Sequence, residues 1–329
     1  MRLINDIITK AMKRFLIALL MVSLVSLAYQ NAKAQQLPQF TQYMLNPFII
    51  NPAVAGNNNY YQIRSNNRWQ WTGLTDAPQT YSLSAYGPHN KLDMGFGGYL
   101  YNDITGPTSR LGMSGTYAYN RRITSEIRAS AGISLGFLSF RVDGTKLDFG
   151  DAATNIPDPA VFRNSKSVFT PDASIGVTFY TTFWIAGISA HQLFGQKLTK
   201  TLLSRRDPNN SYAIIDTIYG INRLKQHLML NGGYLFIINR DWEIEPSAIL
   251  KYMFGSPLTM DVNAKVTYRK QFWGGLSLRW RDGAAIIMGM TYDNRYMFGY
   301  SYDYSFTSIR SHQFGSHEIM LAFLFDKLK

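Results

Sequence analysis

The sequence predicts an all-β protein, a transmembrane antiparallel β-barrel of about fourteen strands with an N-terminal plug segment. Three observations support this prediction. A hydrophobic leader marks the chain for export, alternating apolar and polar residues recur in segments of about ten residues, and no stretch after the leader is long and apolar enough for a membrane helix. Tilted strands of this length cross a bilayer as closed barrels, which expose no backbone edge to lipid.

The chain begins with the features of a secretory signal peptide. Basic residues precede an apolar run, 15–28, and the Ala-Lys-Ala sequence at 32–34 matches a small-residue cleavage site. We expect residues 1–34 to be cleaved as the signal peptide, and both Met1 and Met12 are candidate start sites. The alternative is a retained anchor helix, which the shortness of the apolar run disfavours.

The composition narrows the functional class. The formal net charge is +12 and cysteine is absent. An exported protein without cysteine has no disulfides, so packing or closure of the sheet must stabilise it. Export also separates the chain from nucleic acid, so we expect no nucleic-acid partner. The basic excess instead favours the headgroups of outer-membrane lipids or acidic partners.

Residues 35–59 precede the first predicted strand and are predicted to form the plug segment. The stretch 35–56, QQLPQFTQYMLNPFIINPAVAG, has no charged residue and contains two Asn-Pro pairs. Proline cannot donate to a strand ladder and Asn-Pro favours turns, whereas the apolar cluster between the pairs needs burial. A flexible periplasmic tail is the alternative, but disordered segments are usually charged and poor in aromatic residues. The predicted plug residues are Phe40, Tyr43, Met44, Asn46, Pro47, Phe48, Ile50, Asn51 and Pro52, with Phe48 and Ile50 expected to be buried.

Residues 60–329 are predicted to form the barrel. In 296–304, YMFGYSYDY, one parity is aromatic and the other is small or polar, and 271–281, QFWGGLSLRWR, alternates in the same way. Period-two patterning places alternate side chains on opposite faces of a strand. Aromatic residues tip the apolar faces, as membrane interfaces favour, while the other faces mix glycine, polar and charged residues as a wet lumen would. This pattern favours a barrel over the alternative, a soluble β-sandwich with an apolar interior.

The alternation assigns each strand a position and each side chain a face. We expect one set of apolar residues to face outward (Leu276, Leu278, Phe298 and Tyr300) and one polar set to face inward (Arg279, Ser301 and Asp303). The predicted strands lie near 60–69, 79–86, 93–102, 110–120, 126–138, 172–180, 182–190, 226–237, 241–253, 258–268, 271–281, 284–292, 295–305 and 318–326.

Two long connections, near 139–171 and 191–225, are predicted to be outer loops. If the mature N-terminus is periplasmic, connections after odd-numbered strands lie outside, and both of these follow odd-numbered strands. Long connections are usually functional, and both carry aromatic and basic side chains, types enriched in binding hot spots. The alternative is that they only cover the barrel mouth or contact lipopolysaccharide. The candidate partner-binding residues are Phe149, Phe162, Arg163, Phe194, Arg205, Arg206 and Tyr212.

The sequence contains no convincing catalytic or metal-binding pattern, so we expect neither an enzyme nor a cofactor. The five histidines lack metal-ligand spacing and there are no cysteine ligands. Residues 132–136, GISLG, match G-x-S-x-G, but they lie in an alternating segment, whereas a nucleophile elbow needs a strained turn between strand and helix. We interpret Gly132, Ser134 and Gly136 as a small, lumen-facing row.

The start of the predicted mature chain resembles that of a known family. Within 39–56, Gln39-Phe40 and Tyr43-Met44 are followed by Asn46-Pro47 and then by Asn51-Pro52-Ala53 with Gly56. This pattern resembles the PorP/SprF family of Bacteroidetes outer-membrane proteins. The following stretch, 64–71, resembles the family's Arg-x-Gln-Trp region, with Asn66-Asn67 as a departure.

The resemblance implies a function that the residue pattern alone does not give. Resemblance to this family implies that the protein is an outer-membrane barrel component of type IX secretion, needed for secretion or surface anchoring of cargo proteins such as gliding adhesins. The implied partners are a secreted cargo protein with a C-terminal sorting domain and other type IX secretion components. The alternative function is an outer-membrane transporter or porin for small solutes, which would need a continuous lumen and a gated or missing plug.

Overall fold

The computed structural model describes residues 37–89, 92–143, 146, 166–195, 200–207, 210–219 and 224–326, with the backbone alone for 200–207 and 210–219. The predicted signal peptide, 1–34, lies outside these ranges, as do three of the predicted loop residues, Phe149, Phe162 and Arg163.

Within these ranges, fourteen strands form a closed antiparallel barrel, which confirms the predicted fold class. The wall runs in chain order, the last strand pairs with the first, and His227–Tyr234 with Phe236–Ile237 acts as one strand interrupted at Leu235. The wall strands are β1 Tyr60–Trp69, β2 Gln79–Pro88, β3 Met94–Thr105, β4 Thr108–Arg122, β5 Arg128–Val142, β6 Lys166–Tyr180, β7 Trp184–His191, β10 His227–Tyr234, β11 Phe236–Ile237, β12 Trp242–Met253, β13 Thr259–Tyr268, β14 Phe272–Arg279, β15 Gly283–Tyr292, β16 Tyr296–Ser305 and β17 Ser316–Asp326. No helix in the described part of the chain is long and apolar enough to cross a membrane.

The faces of the strands follow the predicted alternation. Leu276 and Leu278 on β14 are 65% and 48% exposed, whereas Ser301 on β16 is fully buried. Apolar side chains therefore cover the outside of the barrel and polar ones line its interior, so the sandwich alternative is wrong. The remaining assignments agree, with Phe298 and Tyr300 on the outward face of β16 and Arg279 and Asp303 turned inward.

The two ends of the barrel differ in how their strands are joined. All the connections at one end, here called the turn end, are short, and Arg269-Lys270 and Asp293-Asn294 there have positive φ angles. Positive φ at both central residues is typical of two-residue hairpin turns. The opposite end, here called the loop end, carries the longest connections, 143–165 and 192–226.

Both long connections differ from the prediction. Strands β5 and β6 extend further than predicted, because their ladder continues to the pair Val142 and Lys166, so the first connection shortens to 143–165. The second contains a separate hairpin of β8, Lys200–Asp207, and β9, Asn210–Tyr219. It is therefore not structureless, because its own backbone groups pair with one another.

Candidate functional site

The N-terminal segment, residues 37–56, lies inside the barrel. It forms two short 3-10 turns, Pro47–Ile49 and Pro52–Gly56, whose backbone needs no ladder partner. The predicted burial of Phe48 and Ile50 is observed, at 5% and 8% exposure. Of the other predicted residues, Phe40, Tyr43, Asn46, Asn51 and Pro52 are also buried, and Met44 and Pro47 are half-buried.

Asn51 attaches the second turn to the wall between two strands. Its Nδ2 donates to the backbone carbonyls of Val177 on β6 and Ile188 on β7, at 3.2 and 3.3 Å, while its Oδ1 accepts from the N–H of Ala53 at 3.0 Å. The Asn-Pro pair thus supplies an N-cap and a first residue without an N–H, both of which favour a helical turn. The same asparagine side chain anchors that turn to the barrel.

Asn46 makes the corresponding attachment to a different part of the barrel wall. Its Nδ2 donates to Asn66 Oδ1 on β1 at 2.9 Å and to Ser84 Oγ on β2 at 3.1 Å. Asn66, which departs from the family pattern, is itself fully buried. The two asparagines therefore bind different walls of the lumen, although they are close in sequence.

A buried ionic cluster holds the start of the segment. Arg68 on β1 pairs with Asp303 on β16 at 2.6 Å and with Glu318 on β17 at 3.3 Å. The Glu318 carboxylate accepts from the backbone N–H groups of Thr41, at 2.7 Å, and Gln42, at 3.2 Å. Because buried charges are costly unless paired and hydrogen-bonded, the segment completes the environment that this cluster needs.

The carbonyl groups of the segment are also bound by the wall. Ile50 O accepts from Ser189 Oγ on β7 at 2.5 Å and lies 2.8 Å from His191 Nε2. Ala53 O accepts from Ser130 Oγ on β5 at 2.6 Å, and Asn120 on β4 donates to Gly56 O at 2.8 Å. Backbone groups outside regular ladders thus find partners on the barrel, as buried backbone requires.

Apolar contacts complete the docking of the segment. Phe48 stacks on Tyr86, with ring centroids 4.4 Å apart, and Leu45 packs with Trp273 and Met320. Tyr43 accepts from Asn263 Nδ2 at 2.6 Å and packs in an apolar cluster. Burial and the nearby Asp261 raise the pKa of Tyr43, so its phenol stays protonated.

Above the segment, toward the loop end, lies a cavity of about 230 Å³. Its floor includes Phe40 and Ile49, and its sides include Tyr101, Leu138 and Met253 from the wall strands. The lining is predominantly apolar, with Lys251 already paired to Asp261 at 2.6 Å. The apolar part of this lining suits an apolar group, while the Asp172 carboxylate, which accepts from the N–H of Ala173 at 2.8 Å, also lines the cavity.

Comparison with known proteins identifies the family. The family model described as type IX secretion system membrane protein PorP/SprF matches residues 32–323. The chain belongs to the PorP/SprF family. The resemblance seen in the N-terminal motif is thereby confirmed, and no curated protein matches the chain.

Solved barrel structures match this PorP/SprF protein at low sequence identity. The CymD monoaromatic hydrocarbon channel is 9% identical with a TM-score of 0.51, and the match covers 88% of this chain and 94% of that one. A Pseudomonas aeruginosa FadL homologue is 13% identical (TM-score 0.46, covering 84% and 92%), and the KdgM porin is 9% identical (0.36, covering 80% and 98%). Family and barrel fold together place the protein in the outer membrane.

Among the predicted loop residues of this PorP/SprF protein, only Phe194 has a side chain that the structure describes. Phe194 follows β7 and is 52% exposed. Arg205 and Arg206 lie on β8, and Tyr212 lies on β9. Phe140, considered part of the first loop, instead belongs to β5 and is buried against Leu224. The loop-binding role stays a prediction.

Sequence reasoning missed the ionic cluster and its partners. The alternation places Arg68 and Glu318 on strands without pairing them, and the predicted plug residues do not include Thr41 or Gln42. The available signal was a charged residue at an inward position of a strand, which needs a partner on a neighbouring strand. The row of Gly132 and Ser134 does face inward as predicted, on a continuous strand, and no group of three His, Cys, Asp or Glu that could hold a metal occurs in the described residues.

Proposed function

We propose that this protein holds a secreted cargo protein at the outer surface as part of type IX secretion, with residues 37–56 acting as a plug. The observation that carries the proposal is the bound N-terminal segment. Its backbone and side chains hydrogen-bond to inward groups on both halves of the wall, from Glu318 on β17 to Ser189 on β7. A barrel occupied in this way suits anchoring better than free passage of solutes.

The loop end is the proposed docking side for the cargo. The longest connections, 143–165 and 192–226, gather there, and the second adds a hairpin beyond the wall. The proposed cargo carries a C-terminal sorting domain, as gliding adhesins would, and other type IX secretion components are proposed partners. The outward apolar side chains contact outer-membrane lipids, and we propose no catalytic role and no cofactor.

Transport of small solutes is the second candidate, and the cavity of about 230 Å³ is the observation that favours it. CymD, which shares the fold, is described as a monoaromatic hydrocarbon channel. In this protein, however, the floor of the cavity is the N-terminal segment itself, through residues such as Phe40 and Ile49. Passage would therefore require the segment to leave its hydrogen bonds to the wall.

Shortening the second connection tests the anchoring function. Residues 196–223 are replaced by a short Gly-Ser turn, which leaves β7, Leu224 and β10 intact, and secreted proteins are quantified on cells and in the medium. We expect the barrel to reach the membrane while the cargo appears in the medium or is not exported. A matched control shortens 306–315, another connection at the loop end. Cargo held at wild-type levels by the 196–223 variant, and by a variant shortened within 143–165, would contradict loop docking.

A further inference from the structure

At the loop end, part of strand β6 has an edge that no described strand of the wall covers. The strand pairs with β5 along its whole length, from Lys166 to Tyr180, but β7 pairs only with Ile175–Tyr180. The last link on that side is the N–H of Leu193, which donates to Ala173 O at 3.0 Å. No described residue pairs with 167–172 on the side that β7 leaves open.

The hydrogen-bonding groups of this edge can be assigned. In an antiparallel pair, successive residues direct their backbone groups to alternate sides, and Ala173 O points to the β7 side. Phe169 and Ser167 therefore direct both N–H and C=O to the open side, and Pro171 directs its carbonyl there. Proline is tolerated in a sheet at such an edge because its missing N–H breaks no ladder bond.

This edge of β6 adjoins the cavity above the N-terminal segment. Residues 172–174 of β6 line that cavity together with Met229 and Met253, and the Asp172 carboxylate there accepts from the N–H of Ala173 at 2.8 Å. An apolar cavity of about 150 Å³ is large enough to bind benzene, so a volume of about 230 Å³ accommodates one aromatic or branched aliphatic side chain. On the outer face, Phe169 is 69% exposed and stacks on Phe137 at 4.9 Å.

We propose that an extended segment of the secreted partner adds to this edge of β6 as a further strand and inserts an apolar side chain into the cavity. Strand addition supplies affinity through backbone hydrogen bonds and specificity through pockets for alternate side chains. The alternation of a strand directs one set of side chains inward, to the cavity, and the other outward, beside Phe169. This inference rests on the proposed anchoring function and specifies how its partner is held.

The matched pair Phe169→Pro and Phe169→Ala tests the backbone contribution. Both variants remove the ring, but only proline removes the edge N–H, which is not used in pairing with β5. We expect Phe169→Pro to retain cargo on the order of tenfold less well than Phe169→Ala, as expected for one lost hydrogen bond together with poorer fit of the added strand. A heat-modifiable gel shift confirms that each barrel is folded. Equal retention by the two variants would overturn the proposal.

A photo-crosslinking amino acid at position 169 identifies what occupies the edge, with position 179, an outward residue within the paired part of β6, as the control. The supporting result is a cross-link from 169, and not from 179, to an extended segment in the terminal domain of the retained cargo. Cross-links only to the protein's own hairpin, or only to lipid, would overturn strand addition. If the wild type retains cargo and the edge variants do too, only this inference fails. If the wild type retains none, the proposed function fails with it.

Discussion

Gly132 allows the N-terminal segment to pack directly against the barrel wall. A β-carbon at this position would lie 2.5 Å from the backbone N of Ala53, closer than side chains approach in proteins. Gly97 has the same role for the ring of Phe48, where a β-carbon would lie 2.6 Å from the ring. At these positions glycine is required for the close approach of another chain segment rather than for an unusual φ angle.

Gly132→Leu is therefore expected to displace the second turn of the segment while leaving the strand intact. The added side chain occupies the space of Ala53, and overpacking of this kind typically costs about 1–3 kcal/mol. Limited proteolysis of the purified protein should show faster cleavage within 37–56. The matched control is Gly115→Leu, because nothing lies within 4 Å of a β-carbon at that outward position. Equal protection of the segment in both variants would contradict this account.

At the scale of elements, β17 has two roles. Its backbone closes the barrel by pairing with β1 from His317 to Asp326. Its Glu318 side chain reaches into the lumen, where it pairs with Arg68 and caps two backbone N–H groups of the N-terminal segment. Closure of the wall and docking of the segment therefore depend on the same strand.

Glu318→Ala should loosen the segment and destabilise the barrel together. Removing one partner of a buried ion pair costs roughly 3–5 kcal/mol, because the other charge is left uncompensated; the remaining pair of Arg68 with Asp303 places the expected loss near the lower value. Denaturant unfolding measures the free energy, and hydrogen exchange at Thr41 and Gln42 measures release of the segment. Glu126→Ala, at an exposed position near the turn end, is the control. Unchanged exchange at Thr41 and Gln42 would show that Glu318 does not hold the segment.

At the scale of the whole molecule, the barrel has one compact end and one elaborated end, with the N-terminal segment bound between them. Tight turns such as Arg269-Lys270 make the turn end short, while the long connections extend the loop end. Barrels of this strand number lie between small barrels filled by side chains and porins with aqueous channels. The N-terminal segment is thus the feature that determines whether the lumen is blocked or open.

Deleting 37–56 should convert the protein into an open pore. The lumen is lined by polar side chains, such as Asn66 and Ser84, that water can solvate once the segment is absent. Conductance in planar bilayers should be low for the wild type and rise clearly for the deletion variant. The 196–223 replacement, which removes chain beyond the wall, serves as the control and should not open the lumen. High conductance of the wild type would instead favour solute transport.

The sequence by itself determined the barrel, its strand number and the face of each side chain. These are local properties, because period-two alternation follows from the backbone of a single strand. The burial of Phe48 and Ile50 was equally predictable, since an uncharged segment with an apolar cluster between two Asn-Pro turns cannot remain in water or join the sheet. The family could be recognised from the same stretch.

The tertiary structure alone decided which wall residues bind the segment and how far each described strand pairs with its neighbours. Arg68 and Glu318 are separated by 250 residues in sequence and meet only because β17 closes against β1. Strand β7 pairs with only part of β6, Ile175–Tyr180, and this length likewise depends on where neighbouring strands stop. Strand registers and closure of the sheet set contacts between residues on different strands, and the alternation within one strand carries no information about them.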